Sequence, residues 1–260
     1  MSSLSSESTQ LADLLKVERL GTQYGGWFVP LGCFDASSVC YLAGAGEDVS
    51  FDFTLAARTG AEIHIIDPTP RAVEHYAFIR EQMKQDPKVA VYNARFGGGD
   101  PQYWRYIQEG ARDLSRFKFH SIALAGEQGT LKFYPPKNPE HVSFSLDNLQ
   151  DTETPIEVAA ETIDSLMTKL GHTKVDLLKL DIEGAEYDVL RQMLAFDILP
   201  GVLCIEFDGL LHGRRSVGET QVLFRRLGRA GYHLIVDDGN ANHTYVHETA
   251  LKTLIGAVES

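Results

Sequence analysis

Short apolar runs alternate with helical segments along this chain of 260 residues, and this alternation constrains the fold more than any other feature. The runs stop at glycine or aspartate, are too short for helices, and are typical of buried strands. Strands that alternate with helices predict a mostly parallel sheet covered by helices on both faces. The five runs lie at 39–43, 63–66, 117–124, 175–180 and 201–207.

The end of the chain adds a detail to this topology. Two final strands, 232–236 and 244–247, are joined by the turn-rich connection 237–240, so we expect them to pair antiparallel. We therefore predict an α/β fold: a doubly wound, mostly parallel, seven-stranded, Rossmann-like sheet with a C-terminal antiparallel hairpin. Further strands are expected at 130–134 and 157–160, and helices at 49–58, 69–84, 164–170, 183–195 and 219–230.

The domain organisation follows from the same pattern. Residues 1–38 are predicted to form a cover segment with a helix at 11–20, and residues 39–260 to form one domain. The segment at about 86–113 holds three consecutive glycines and an aromatic group, so we interpret it as an insertion made of a loop and a short helix. Its aromatic residues can either cover a pocket or anchor the insertion to the body.

Composition excludes several classes of function. With 24 basic and 36 acidic residues the net charge is −12, which disfavours a nucleic-acid surface. No apolar run approaches the roughly 20 residues of a membrane span, and no secretory signal is visible. Cys40 and Cys204 lie in apolar runs and are interpreted as buried thiols. We therefore expect a cytoplasmic protein with neither a membrane nor a nucleic-acid partner.

The first two strands end in residues suited to a nucleoside. Gly44, Ala45 and Gly46 follow the first strand, and glycine allows a ligand to approach the backbone. Asp67-Pro68 follows the second strand about 20 residues later, where an acid can accept hydrogen bonds from a ribose diol. The acidic pair Glu47-Asp48 disfavours a pyrophosphate and suits a ligand with an amino group, such as S-adenosylmethionine. A tight turn with a helix cap is the structural alternative.

The run from Val175 to Leu190 places three charged residues where a buried strand ends. Lys179, Asp181 and Glu183 alternate along the chain, and a lysine in an apolar strand needs an acidic partner. For Lys179 an ion pair and a catalytic role are equally compatible with the pattern. For Asp181 the position at the carboxyl end of the strand favours function, because ligands bind at that edge of a doubly wound sheet.

The same run resembles the signature of FkbM-type methyltransferases, and the resemblance extends from about Tyr41 to Tyr232. It implies a class I S-adenosylmethionine-binding fold in which the Gly44–Gly46 turn binds the cofactor and Asp67 holds the ribose. It also implies that Ala123 and Leu124 flank the adenine, and that Asp181 and Glu183 face the methyl-transfer site. The turn departs from the family pattern, because Asp48 stands where a third glycine is usual.

The family resemblance also suggests a hydroxyl acceptor on a small molecule, sugar or glycan, and a hydroxyl needs a base or a metal. Asp181, Glu206 and Asp208 follow neighbouring strands and can converge on the acceptor. His212 is the candidate base at neutral pH. Three carboxylates can also hold Mg²⁺, although a reaction without metal is the favoured interpretation.

Two other functions are compatible with the same pattern. An NAD-dependent oxidoreductase can use a similar sheet, although the acidic turn disfavours the pyrophosphate. A non-catalytic relative can keep the fold as an interaction module, and the altered glycine turn keeps this alternative open.

Overall fold

The computed structural model describes Leu15 and residues 17–85, 95–134, 155–207, 215–239 and 241–259. Its main sheet has seven strands: β3 (Val39–Ala43), β4 (Glu62–Ile66), β5 (Phe117–His120), β9 (Leu177–Leu180), β10 (Val202–Glu206), β11 (Tyr232–Asp237) and β12 (Asn242–His247). They lie in the order β11-β12-β10-β9-β3-β4-β5. The pairings from β10 through β9, β3 and β4 to β5 are parallel.

Helices cover both faces of this sheet, as the alternating pattern predicts. Two apolar clusters, one on each face, bury the central strands almost completely. At the start of α2 the Thr69 side chain accepts a hydrogen bond from the Ala72 N–H, and Pro70 occupies the first turn. The helices are α1 (Ser50–Thr59), α2 (Pro70–Gln82), α3 (Tyr103–Gly110), α4 (Ile163–Leu170), α5 (Glu186–Ala195), α6 (Val217–Arg229) and α7 (Glu248–Glu259).

The end of the chain contains one helix that the sequence analysis did not predict. Strand β12 pairs antiparallel with both β11 and β10, so it is inserted between them. Helix α7 follows directly after His247, and the sequence analysis had ended at that strand.

The predicted strand 117–124 is divided between two sheets. Strand β5 pairs with β4 only as far as His120, because β4 ends opposite it at Ile66. Strand β6 (Ala123–Leu124) then pairs with β8 (Ile156–Glu161), which also pairs with β7 (Gly129–Phe133) in a separate three-stranded sheet. The expectation of one continuous strand was wrong because β4 offers no partner beyond His120.

The cover segment contains a hairpin where the sequence predicted the end of a helix. Strands β1 (Glu18–Leu20) and β2 (Trp27–Val29) pair antiparallel, so the helix predicted at 11–20 does not reach Leu20. Residues 1–14 lie outside the described part. The hairpin is held to the main sheet by the Thr244 hydroxyl, which donates to the Phe28 carbonyl over 2.8 Å.

The insertion is anchored to the body through its aromatic residues. Tyr103 is fully buried, and its hydroxyl lies 2.7 Å from His75 Nε2 on α2. Gly110 packs so closely on the backbone of Phe53 in α1 that a β-carbon would lie 2.2 Å from its carbonyl oxygen. Residues 86–94 of this insertion lie outside the described part.

Cys40 and Cys204 are buried free thiols, which confirms the interpretation made from the sequence. Within the residues that the structure describes, no helix has the length and apolar character needed to cross a membrane.

Candidate active site

The residues at the carboxyl ends of β3, β4, β9 and β10 meet at one edge of the main sheet. The Gly44 N–H donates to the Ile66 carbonyl over 3.0 Å, and the Asp181 N–H donates to the Ala43 carbonyl over 3.2 Å. Ile205 is paired with Leu180, which places the following residue, Glu206, next to Asp181. The parallel strands therefore bring together the residues that the sequence analysis selected at their carboxyl ends.

Two glycines shape the turn after β3. Gly44 has φ 87° and Gly46 has φ 49°, both in the left-handed region that favours glycine. A β-carbon on Gly44 would lie 1.7 Å from the carbonyl oxygen of Asp181, so this turn packs directly on the turn after β9. A β-carbon on Gly46 would meet no atom of the described residues within 4 Å, so the backbone there faces open space in this part of the structure.

Asp67 fastens the glycine turn to the end of β4. Its Oδ2 accepts hydrogen bonds from the Ala45 and Gly46 N–H groups, both over 2.9 Å. Its Oδ1 accepts from the Thr69 N–H over 2.8 Å and from the Thr69 hydroxyl over 2.6 Å. The carboxylate is buried and already accepts four hydrogen bonds. A ribose diol at this position would therefore share these oxygens with the turn.

The acidic pair after the glycine turn has protein partners. Buried Glu47 pairs with Arg95 Nε at 2.8 Å and with Arg71 at 3.4 Å. Asp48 accepts hydrogen bonds from the Thr22 hydroxyl and the Ser50 N–H. Burial raises the pKa of Asp48 even though these hydrogen bonds lower it. The sequence analysis had not foreseen these partners, and contact between Glu47 and a cofactor stays a prediction.

A buried lysine joins two of the strand ends. Lys179 Nζ donates to the Gly44 carbonyl over 2.6 Å and lies 3.2 Å from Asp181 Oδ2. Burial lowers the pKa of Lys179, but the charges of Asp181 and Asp52 outweigh it and raise the pKa overall. Of the two roles that the sequence analysis considered for Lys179, the structure shows the ion pair, which it forms with Asp181. Its ammonium group also stabilises the glycine turn through the Gly44 carbonyl.

Asp181 and Glu206 form a carboxyl pair beside this lysine. Burial opposes ionisation of Asp181, but Lys179 and a hydrogen bond with Glu206 lower its pKa overall. A hydrogen bond between two carboxyl groups requires a proton on one of them. Because Lys179 favours the charged form of Asp181, Asp181 is the ionised member of this pair.

The turn after β9 starts its helix later than the sequence predicted. Glu183 has φ 56° and Gly184 has φ 107°, so neither is helical, and α5 begins at Glu186. Glu186 Oε1 accepts hydrogen bonds from the N–H groups of Ile182 and Gly184 over 2.8 and 3.2 Å. Its other oxygen, Oε2, is buried and has no hydrogen-bond partner among the described residues. Glu186 thus stabilises the turn that carries Asp181 and Glu183.

We expect Glu186→Gln to stabilise the protein at pH 8 by about 2 kcal/mol. Burial raises the pKa of Glu186 from 4.5 to about 7. Between these values the folded protein binds a proton that the unfolded chain has released, so stability falls as pH rises through this window and stays reduced above it. Glutamine keeps the oxygen acceptor and cannot ionise. Denaturant unfolding at pH 5 and pH 8 should show the gain at pH 8 alone. The exposed control Glu127→Gln should leave the free energy of unfolding unchanged at both pH values. An equal dependence of the free energy of unfolding on pH in Glu186→Gln and in the wild type would contradict this account.

Tyr24 is a site residue that the sequence analysis missed. Partial desolvation and the charges of Asp181, Asp48, Glu183 and Glu206 raise the pKa of its phenol, so the hydroxyl lies within the electrostatic field of these carboxylates. Its side chain is 67% exposed and packs on the backbone of Gly98 from the insertion. The Tyr-Gly-Gly-Trp turn was visible in the sequence, but its position over the strand ends depends on the hairpin β1–β2.

Four further residues predicted for the site stay untested. Ala123 and Leu124 are buried in β6, on the strand segment that follows the β4–β5 edge. Their contact with an adenine stays a prediction. His212 and Asp208 lie outside the described residues, so their convergence on Asp181 is untested.

One comparison with known proteins, the match to a family model, agrees with this topology. A search among curated proteins found no significant match. The model of the methyltransferase FkbM domain matches residues 43–233, which span the sheet from β3 to the start of β11 and include the glycine turn, Asp67 and the carboxyl pair. The chain belongs to the FkbM methyltransferase domain family.

Proposed function

We propose that this protein is an S-adenosylmethionine-dependent methyltransferase that methylates a hydroxyl group on a small molecule, sugar or glycan. The observation that carries the proposal is the contact between the Gly44–Gly46 turn and the Asp181 turn at the carboxyl edge of the sheet. This contact supports the proposal because the turn that we propose to hold the nucleoside lies next to the carboxylates that we propose to act on the acceptor.

The residues at this edge fit S-adenosylmethionine. Open space next to Gly46 admits a ligand against the backbone, and Asp67 lies directly behind it. Asp181, Glu183 and Glu206 give the neighbouring surface a negative charge, which suits a sulfonium and an ammonium group and disfavours the pyrophosphate of NAD. We propose that Gly44, Ala45, Gly46 and Asp67 hold the adenosine part and that Pro68 borders it, with Ala123 and Leu124 on the adenine side.

When bound, S-adenosylmethionine would supply an electrophilic methyl group for the acceptor oxygen, and S-adenosylhomocysteine would be the product that leaves. The protein must then align the acceptor and take its proton. We propose that the Asp181 carboxylate accepts a hydrogen bond from the acceptor hydroxyl and takes its proton. Lys179 fixes the position of Asp181, Glu206 keeps its hydrogen bond to that carboxyl group, and Tyr24 borders the acceptor.

His212 and Mg²⁺ remain alternative means of activating the hydroxyl. His212 would serve as the base if the loop after β10 brings it to Asp181. Among the described residues, the carboxylates of this edge do not bring three ligand oxygens within 4.8 Å of one another. A Mg²⁺ site here would therefore need Asp208, and we favour the reaction without metal.

The proposal is tested by calorimetric titration of the wild type and Asp67→Ala with S-adenosylmethionine. We expect binding in the micromolar range for the wild type and a loss of at least about 100-fold in the variant, because the alanine loses the ribose acceptor and frees the glycine turn. His233→Gln, on the exposed part of β11, is the control and should bind like the wild type. Thermal unfolding of Asp67→Ala is the check that this variant is folded at the titration temperature. Equal affinity of the wild type and Asp67→Ala would contradict the proposed site.

A further inference from the structure

A second group of polar residues lies on β4 and its neighbours, away from the carboxyl edge. Glu62 and His64 are two residues apart on β4 and therefore share one face of the sheet. Tyr41 is the register partner of His64 on β3, and His120 ends β5. His172 reaches the same face from the end of α4, where its N–H donates to the Met167 carbonyl. Four separate elements thus contribute to one cluster.

The contacts within this cluster are short and specific. His64 Nε2 lies 2.8 Å from Glu62 Oε1, and His64 Nδ1 lies 2.9 Å from His120 Nε2. His172 Nδ1 lies 2.8 Å from the Tyr41 hydroxyl. The rings of His64 and His172 meet edge to face with their centroids 4.8 Å apart.

We propose that Glu62, His64 and His172 form a binding site for a transition-metal ion of the zinc class. Each offers one ligand atom, and the three atoms lie within 4.8 Å of one another. Zinc binds imidazole nitrogen and carboxylate oxygen at roughly 2.0–2.2 Å, so its ligands lie roughly 3–4 Å apart and only small side-chain shifts are required. One carboxylate and two imidazoles suit zinc far better than Mg²⁺.

The remaining residues of the cluster, His120 and Tyr41, would form hydrogen bonds with the two histidine ligands. When His64 Nε2 binds the ion, His64 Nδ1 donates a hydrogen bond to His120 Nε2. His172 Nδ1 is hydrogen-bonded to the Tyr41 hydroxyl, so His172 Nε2 is the nitrogen that binds the ion. Such hydrogen bonds orient histidine ligands and fix which nitrogen carries the proton.

The proposed site has one buried ligand, which is held rigidly, and one partly exposed ligand, which gives access from solvent. His64 is 2% exposed, whereas the Glu62 side chain is 42% exposed, so an ion can enter beside Glu62. The ion would join β4, which leads to Asp67, to the end of α4, which leads into β9 and Asp181. The site is independent of methyl transfer and would brace two elements that carry the candidate active site.

Zinc titration of the full-length, tag-free, chelator-treated protein tests this site. We expect one equivalent to bind in competition with a chromophoric chelator, and Co²⁺ to give the absorption of a tetrahedral nitrogen–oxygen site. Glu62→Gln and His172→Gln, both at partly exposed positions, should each lose at least about 100-fold in affinity. Tyr41→Phe, which removes only an outer-shell hydroxyl, should lose about 10-fold.

His233→Gln removes an exposed histidine outside the cluster and should bind zinc like the wild type. Circular dichroism of the metal-free variants is the check that they are folded. Failure of the wild type to bind one equivalent, or equal affinity of the wild type, Glu62→Gln and His172→Gln, would overturn the proposal.

Discussion

Replacing Gly44 with alanine is expected to lower the free energy of unfolding by about 3 kcal/mol and the unfolding temperature by about 10 °C. The new β-carbon would lie 1.7 Å from the Asp181 carbonyl oxygen, and the backbone φ of 87° is strained for any residue other than glycine. The two turns must therefore separate, and S-adenosylmethionine binding should be lost at temperatures where the variant is still folded. Thermal unfolding and calorimetry measure the two effects.

Gly46→Ala is the matched control for this prediction. Its φ of 49° is also left-handed, but its β-carbon would point into open space. The backbone cost should be about 1 kcal/mol, while the methyl group should weaken cofactor binding directly. Equal stability of Gly44→Ala and wild type would show that the turns do not pack as described.

Asp181→Asn is expected to reduce methyl transfer by a factor of about 10² to 10⁴ while the protein remains folded. The amide cannot take the acceptor proton, and the pair with Glu206 loses the charged oxygen that Lys179 stabilises. The Lys179 ammonium keeps its hydrogen bond to the Gly44 carbonyl, so the glycine turn should persist. Release of S-adenosylhomocysteine with a panel of hydroxyl acceptors measures the rate, and calorimetry measures cofactor affinity.

His212→Gln separates two assignments of the base. We expect it to retain most of the activity that Asp181→Asn loses. A full rate in Asp181→Asn together with a large loss in His212→Gln would move the base from Asp181 to His212.

The sequence was sufficient to predict the central sheet because β3, β4, β9 and β10 are buried on both faces and are therefore rich in apolar residues, interrupted by a few polar ones such as His64 and Lys179. The strand ends Gly44, Asp67 and Asp181 could be located for the same reason, because the apolar runs stop there. The start of α2 was predictable from Thr69 and Pro70, since capping depends on neighbouring residues alone.

Features that depend on distant partners could not be predicted. The division of 117–124 between two sheets depends on where β4 ends and on the presence of β8. The hairpin Glu18–Val29 forms where the local pattern predicted the end of a helix. It positions Tyr24 within the electrostatic field of Asp181 and Asp48. The partners of Glu47 come from α2 and from Arg95, which no local spacing indicates.

The central claim is that the edge formed by the Gly44 and Asp181 turns binds an adenosyl sulfonium. Calorimetric titration of the wild-type protein with S-adenosylmethionine and, separately, with NAD tests it most directly. The account predicts micromolar binding of S-adenosylmethionine at one site and no measurable heat with NAD at the same concentrations. Binding of NAD alone, or of neither ligand at millimolar concentration, would contradict it.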